Sequence, residues 1–222
     1  MSEPEIPRTN GQPVARSPIA PAPPVVVKAG WEVSGRRADA TGASALTLTD
    51  CTPLTKVQLR APVDGEFAAL LGVPFGRAAR DPDGTLVVGS GPGEWLLLAA
   101  PGQAGGLEPM LEEAADQAPG ESVTWVDLTH GRALFRLYGS PAARVLAKVC
   151  GIDWSDGITP DGAAFRASVA ALATDVIRDD VGGAPSYLLH CERSSGQYLF
   201  DALLAAGAEF AIEIDGFDPP GI

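Results

Sequence analysis

The segment that most constrains the fold is residues 123–150, which predicts a strand, a turn and a helix in one continuous run, VTWVDLTHGRALFRLYGSPAARVLAKVC. The strand, 123–138, alternates in a way that suits one buried face. Ser140 and Pro141 then occupy the cap and the first position of a helix over 141–150, whose apolar residues recur at helical spacing. A chain that forms this unit must pack a helix against a sheet.

The same order of elements is predicted twice in the body of the chain. Residues 41–118 contain a short strand, a helix, two strands and a second helix, and residues 119–214 repeat that plan. Two strand-helix-strand-strand-helix units predict an α+β fold in which helices pack against antiparallel or mixed sheets. Residues 35–50 are small and polar and are predicted to be loop, and residues 215–222 are predicted to be a tail.

The N-terminal 40 residues are predicted to be a proline-rich, flexible arm. Seven of the 20 prolines precede residue 25, and proline removes an amide donor and fixes φ, so no regular helix is expected there. Residues 1–25 should be mobile or draped over a partner. Residues 25–27 are the part of the arm that could add a short edge strand.

Composition and charge exclude several classes of protein. The chain has 222 residues, 45% of them hydrophobic, and a formal net charge of −12, which repels a phosphate backbone and argues against nucleic-acid binding. No apolar run approaches the ~20 residues of a membrane span. The N-terminus lacks the basic and apolar regions of a secretory signal, so we expect a cytoplasmic protein. The three cysteines have no short spacing and are expected to be buried thiols.

The spacing of the histidines does not predict a metal site, and the placement of the glycines does not predict a phosphate-binding loop. His130 precedes a glycine where the backbone should bend, and His190 lies inside an apolar strand. Neither histidine has metal-ligand spacing, so no metal site is predicted. The glycines at 89, 91 and 93 lie between two strands and do not open a helix, so no phosphate-binding loop is predicted.

Two pairs of charged residues, one of arginines and one of aspartates, give no clear indication of a functional site. Arg132 and Arg136 share a strand face that could equally meet an acidic partner or face water. Asp179 and Asp180 lie beside two glycines and are predicted to form a solvated loop. On motifs alone, the chain favours a binding module or a subunit over a free-standing enzyme.

Several segments resemble, in order, the gamma subunit of heterotetrameric sarcosine oxidase, a relative of the aminomethyltransferase (glycine-cleavage T-protein) folate-binding fold. The similar segments are R-S-P-I-A at 16–20, G-P-G-E-W-L at 91–96, D-L-T-H-G-R at 127–132, G-S-P-A-A-R-V-L-A-K at 139–148 and C-G-I-D at 150–153. Together they extend the resemblance over nearly the whole body, from about residue 16 to residue 210.

The resemblance implies a function for the chain within a complex. It implies a heterotetramer that oxidatively demethylates sarcosine to glycine, with hydrogen peroxide and 5,10-methylenetetrahydrofolate or formaldehyde as products. FAD, FMN, NAD and tetrahydrofolate are expected on partner subunits, with none bound by this chain. The expected partners are the alpha, beta and delta subunits, with direct contact to alpha.

Two departures from the family pattern bear on catalysis. Active T-proteins have a pair of aspartates where this chain has Ala170, Ala171 and Leu172, and Gly93 replaces an aspartate of the family. Methyl groups cannot steer protons, so the isolated chain is predicted to have no catalytic residue. A catalytic aminomethyltransferase is therefore disfavoured.

The alternative that stays open is a stand-alone folate-binding or assembly protein of the same fold. A cleft between two α+β units is a plausible pocket for such a ligand. His130, Arg132 and Tyr187 are the candidates to line this folate-like cleft.

Overall fold

A computed structural model describes residues 13–35 and 45–221. The strands are β1 (Ala15–Arg16), β2 (Val25–Lys28), β3 (Trp31–Ser34), β4 (Thr47–Asp50), β5 (Thr55–Arg60), β6 (Ala78–Arg80), β7 (Leu86–Gly91), β8 (Glu94–Ala99), β9 (Thr124–Asp127), β10 (Arg132–Tyr138), β11 (Ala164–Val169), β12 (Leu172–Arg178), β13 (Ser186–Glu192) and β14 (Glu213–Asp215). The helices are α1 (Glu66–Leu71), α2 (Ala104–Asp116), α3 (Ala142–Val149) and α4 (Gly196–Gly207). No helix in these ranges is long and apolar enough to cross a membrane.

The two larger sheets are built from the same plan, which confirms the α+β prediction. The order along the chain is β5-α1-β6-β7-β8-α2 and then β10-α3-β11-β12-β13-α4. The first sheet has the order β6-β7-β8-β5-β9, and the second has the order β11-β12-β13-β10-β4-β14. Strands β6, β7, β8 and β5 of the first unit correspond to β11, β12, β13 and β10 of the second unit. Both sets lie side by side in the same order. The repeat predicted from periodicity is therefore a repeat of topology, with one more strand in each unit than the sequence indicated.

The boundary predicted between residues 118 and 119 does not separate the two sheets, because each unit is preceded by a strand that joins the other. Strand β9 pairs with β5 of the first sheet, and β4 pairs with β10 of the second. The strand predicted over 123–138 therefore breaks into β9 and β10. The break is a turn in which the Asp127 carboxylate accepts a hydrogen bond from the Thr129 amide at 2.7 Å.

Three apolar cores lie on the faces of these sheets. Helices α3 and α4 cover one face of the second sheet around Phe135, and α1 and α2 cover one face of the first sheet around Phe67. The remaining faces pack against each other through residues such as Leu96, Leu134 and Leu188. Strand β10, predicted to bury one face, is thus buried on both.

The N-terminal arm is part of the folded body wherever the structure describes it. Residues 13–35 form a small sheet of order β1-β3-β2, and its Trp31 and Val33 are buried in the core between the two large sheets. The prediction of a flexible arm over 1–40 is wrong for these residues, because burial of Trp31 fixes them, whereas the short edge strand predicted at 25–27 is confirmed as β2. Residues 1–12 and 36–40 lie outside the described ranges.

The loop predicted at 35–50 and the tail predicted at 215–222 also differ from the structure. Residues 47–50 form β4, a strand paired on both sides with β10 and β14, while 36–44 lie outside the described ranges. Phe217 is buried in the core between the sheets. Part of the C-terminal segment is therefore packed against the body.

Candidate functional site

The three residues predicted to line a folate-like cleft do not come together in the structure. In the ladder of β10 and β13, Arg132 pairs with Glu192, whereas Tyr187 pairs with Leu137. Five residues of strand separate these positions, a distance of about 17 Å. Their side chains also point to opposite faces of the sheet, since β-strand side chains alternate.

Tyr187 has a packing role on the helix-covered face. Its ring meets Trp154 edge to face, with centroids 5.4 Å apart, and the Arg178 guanidinium lies 5.8 Å from the ring centroid. Burial raises the pKa of the Tyr187 hydroxyl. These contacts place Tyr187 in the core that α3 and α4 cover.

His130 lies at the surface, in the turn between β9 and β10, and stacks on Trp31. The two rings are nearly parallel, with an interplanar angle of 11° and centroids 4.7 Å apart. Arg16 and Arg193 border the same surface cavity, which has a volume of about 590 Å³. We call these four residues, Arg16, Trp31, His130 and Arg193, the Trp31 cradle. It is a site with an aromatic floor and two guanidinium groups at its rim.

The guanidinium groups of the Trp31 cradle have few partners. Arg193 donates from Nη2 to the carbonyl oxygen of Arg16, but its Nη1 is buried and has no hydrogen-bond partner among the described residues. The nearest carboxylate to Arg16 is that of Glu32, at 3.8 Å. The cradle can therefore still accept an anion. Sequence reasoning found His130 but missed Trp31, because nothing local links β3 to the turn at 128–131.

The other strand-face arginines are paired within the chain. Arg132 donates from Nη1 to the Glu192 carboxylate, and Arg136 donates from Nη2 to Asp179 at 2.9 Å. Asp179 also accepts two hydrogen bonds from Arg80. Neither alternative, an acidic partner or water, describes these arginines, because acids of the same chain bind them.

The prediction of a solvated loop at 179–180 is wrong, because both aspartates belong to a partly buried ionic network. Asp180 accepts hydrogen bonds from Nε and Nη2 of Arg178, both at 3.0 Å. Arg178 also donates to Asp156 at 2.6 Å. This network ties the end of β12 to the loop before β11.

His190 is the second histidine, and it is buried in β13 facing the first sheet. Its Nδ1 lies 3.0 Å from Oδ2 of Asp175, and Asp175 accepts a hydrogen bond from Nε of Arg166 at 2.7 Å. Burial lowers the pKa of His190 against the opposing effect of Asp175. The Nε2 atom is buried without a hydrogen-bond partner among the described residues.

Lys56 is a buried lysine that sequence reasoning missed. It is fully buried, and its Nζ donates to the carbonyl oxygens of Thr52 and Leu54, both at 2.7 Å. Burial lowers the pKa of Lys56 to about 7, against the attraction of Asp50. The segment T-K-V-Q-L-R indicates a strand with one polar face, and nothing in it shows that the second sheet covers that face.

The positions of the two family departures are turns in this chain. Ala170 and Ala171 form the tip of the β11–β12 hairpin, with φ of 48° and 65°. Gly93 has a φ of 70°, and a Cβ there would lie 2.6 Å from the Ala61 carbonyl oxygen. A side chain at Gly93 would therefore require the backbone to move.

Comparison with curated proteins finds two relatives, while no family model matches the chain. It is 37% identical over 124 residues to the sarcosine oxidase subunit gamma of Corynebacterium sp. (strain U-96), over 52% of this chain and 58% of that protein. It is 30% identical over 140 residues to the aminomethyltransferase of Geobacillus thermodenitrificans (strain NG80-2), over 63% of this chain and 36% of that protein. The match thus spans less than two thirds of either relative.

Solved structures show the same two similarities. A chain of the heterotetrameric sarcosine oxidase from Corynebacterium sp. U-96, in complex with pyrrole 2-carboxylate, matches with a TM-score of 0.64 and 29% identity, over 77% of this chain and 88% of that one. Aminomethyltransferase T of the Bartonella henselae glycine cleavage system matches with a TM-score of 0.65 and 17% identity, over 86% of this chain and 55% of that one, which shows the fold alone. The resemblance to sarcosine oxidase gamma and the aminomethyltransferase-like fold are confirmed.

Proposed function

We propose that this chain is the non-catalytic gamma subunit of a cytoplasmic heterotetrameric sarcosine oxidase. The observation that carries the proposal is the joint match to the Corynebacterium enzyme, in sequence to its gamma subunit and in fold over 88% of one of its chains. The complex would oxidatively demethylate sarcosine to glycine, producing hydrogen peroxide and 5,10-methylenetetrahydrofolate or formaldehyde. FAD, FMN, NAD and tetrahydrofolate would be bound by the partner subunits and none by this chain.

The placement of the predicted ligand residues supports a role without catalysis. Tyr187 is packed in a core, and Arg132 is paired with Glu192, so each has a structural partner within the chain. The alanines at the position of the family's aspartates lie in a hairpin tip, where methyl groups neither donate nor accept protons.

An exposed apolar surface beside α1 supports a role in assembly. Val63, Leu70 and Phe75 are 53%, 51% and 58% exposed. Val63 and Phe75 border a groove of about 530 Å³. We call Val63 and Phe75, which share this groove, the α1 patch. Clustered exposed apolar side chains commonly mark protein–protein contacts, so the α1 patch is a suitable contact for the alpha subunit.

The proposal is tested by expressing the chain alone and together with the alpha, beta and delta chains. Alone, it should be colourless and inactive; co-expressed, it should purify in a stable, flavin-containing complex that oxidises sarcosine. Recovery of a yellow, active protein from this chain alone would contradict the proposal.

Stand-alone folate binding is the second candidate, favoured by the surface cavity beside His130 and by the aminomethyltransferase-like fold. Titration calorimetry of the isolated chain with tetrahydrofolate separates the two proposals. Heat that disappears in a His130→Ala variant would favour folate binding, and no heat with the wild-type chain would exclude it.

A further inference from the structure

We infer that the Trp31 cradle is a docking site for an acidic segment of a partner protein. A carboxylate of that segment would lie between the guanidinium groups of Arg16 and Arg193, above the stacked rings of Trp31 and His130. This inference rests on the proposed function in one respect: the partner is a subunit of the same assembly.

The two arginines of the cradle differ from most other arginines of the protein in the distance to their nearest carboxylate. Six other arginines contact a carboxylate at 3.0 Å or less, namely Arg60, Arg80, Arg132, Arg136, Arg166 and Arg178. Arg16 approaches its nearest carboxylate only to 3.8 Å, and Arg193 has none within 4.0 Å among the described residues. Arg77 and Arg144 also have no carboxylate within 4.0 Å among the described residues, but the cradle brings two guanidinium groups without a carboxylate at 3.0 Å or less to the same cavity.

The chemistry of the cradle suits a carboxylate. A guanidinium group offers paired N–H donors that match the two oxygens of a carboxylate, and Arg193 has a buried Nη1 with no acceptor. A partner's carboxylate would reach the exposed Arg16 guanidinium directly, whereas the Arg193 side chain would have to turn for its Nη1 to meet an acceptor in the cavity. The flat Trp31–His130 stack adds a rigid apolar floor for the methylene groups of an aspartate or glutamate side chain.

The shape and charge of the surroundings favour a protein segment over a polyanion. The cavity of about 590 Å³ is an open surface depression that can admit a few side chains of an extended segment. Its walls come from four parts of the chain, residues 13–16, residues 30–31, His130 and Arg193. A long phosphate backbone would be repelled by the rest of this acidic surface, whereas a short acidic segment would contact the cradle alone.

Fluorescence anisotropy with a labelled short peptide of alternating glutamate and aspartate tests the site in the full chain. The wild type should bind this peptide but not its glutamine and asparagine counterpart, and salt should weaken binding. Arg16→Gln and Arg193→Gln should each weaken binding about tenfold. Arg60→Gln is the matched control, because Arg60 and Arg16 side chains are both 67% exposed and Arg60 lies outside the cradle.

Equal loss in Arg60→Gln, or no binding by the wild type, would overturn the inference. Circular dichroism of each variant separates lost binding from lost folding, and Arg16→Gln changes a side chain that is 67% exposed. In co-expression, the complex should assemble less well with Arg16→Gln than with Arg60→Gln. Assembly that is insensitive to both cradle variants would overturn the inference and leave the proposed function standing; absence of any assembly would count against the proposed function.

Discussion

Replacing Lys56 by methionine should make the stability of this protein less dependent on pH. Burial lowers the pKa of Lys56 from 10.5 to about 7 in the folded protein. Between these two values the unfolded chain binds one proton more than the folded chain. The free energy of unfolding of the wild type should therefore rise with pH across this window.

The magnitude follows from the size of the pKa change. Each pKa unit corresponds to about 1.4 kcal/mol. Holding Lys56 neutral at pH 7 therefore costs the folded state about 5 kcal/mol. This cost disappears as the pH approaches 10.5. Methionine removes this cost but also leaves the carbonyl oxygens of Thr52 and Leu54 without their donor, at about 1–3 kcal/mol each. The two effects oppose each other near neutral pH, so the dependence on pH is the decisive quantity.

Urea unfolding of the wild type and Lys56→Met at several pH values from 7 upward measures that dependence. The difference in the free energy of unfolding, wild type minus variant, should increase by about 1.4 kcal/mol per pH unit. Cys51 and Cys191 also have raised pKa values, and the Lys56 charge acts on Cys51, so the two proteins are compared below pH 9.0, the ordinary cysteine pKa, where both thiols stay protonated. Lys148→Met, which changes a surface lysine paired with Glu209, is the control. Parallel curves for the wild type and Lys56→Met would refute the reasoning.

Three other substitutions test the hairpin, the close approach at Gly139 and the α1 patch. Ala171→Gly should stabilise the protein to thermal unfolding by about 1 kcal/mol by relieving a left-handed backbone, whereas the control Ala173→Gly in strand β12 should destabilise it. Gly139→Ala should cost about 3 kcal/mol or more in urea unfolding, because its Cβ would lie 2.0 Å from the Ala45 carbonyl oxygen. Phe75→Ser should leave the melting temperature unchanged but reduce recovery of the co-expressed complex; normal recovery would remove the α1 patch from the interface.

Local patterns were sufficient to predict most helices and strands and their repeat. The alternation in β10 and the helical spacing in α3 are properties of neighbouring residues, so periodicity could identify both. The repeat of element order along the chain follows from these local patterns. These features define the α+β class without knowledge of any distant contact.

Pairing between distant segments could not be predicted in the same way. Strand β4 pairs with β10 and β9 pairs with β5, so each joins the other unit's sheet, and the sequence of a strand does not determine which strand it pairs with. Burial of Lys56 and Trp31 depends on a second layer that their own strands do not encode. Within the Trp31 cradle, His130 could be singled out from the sequence because it precedes a glycine in a predicted turn. The stacking of His130 on Trp31 and the unpartnered Nη1 of Arg193 could be seen only in the folded structure.

Native mass spectrometry of the co-expressed complex tests the central claim most directly. The account predicts an assembly with one copy each of this chain and the alpha, beta and delta chains, in which flavin remains with the other subunits when this chain is dissociated. An assembly of the alpha, beta and delta chains that forms without this chain while this chain stays monomeric, or flavin that leaves together with this chain, would contradict it.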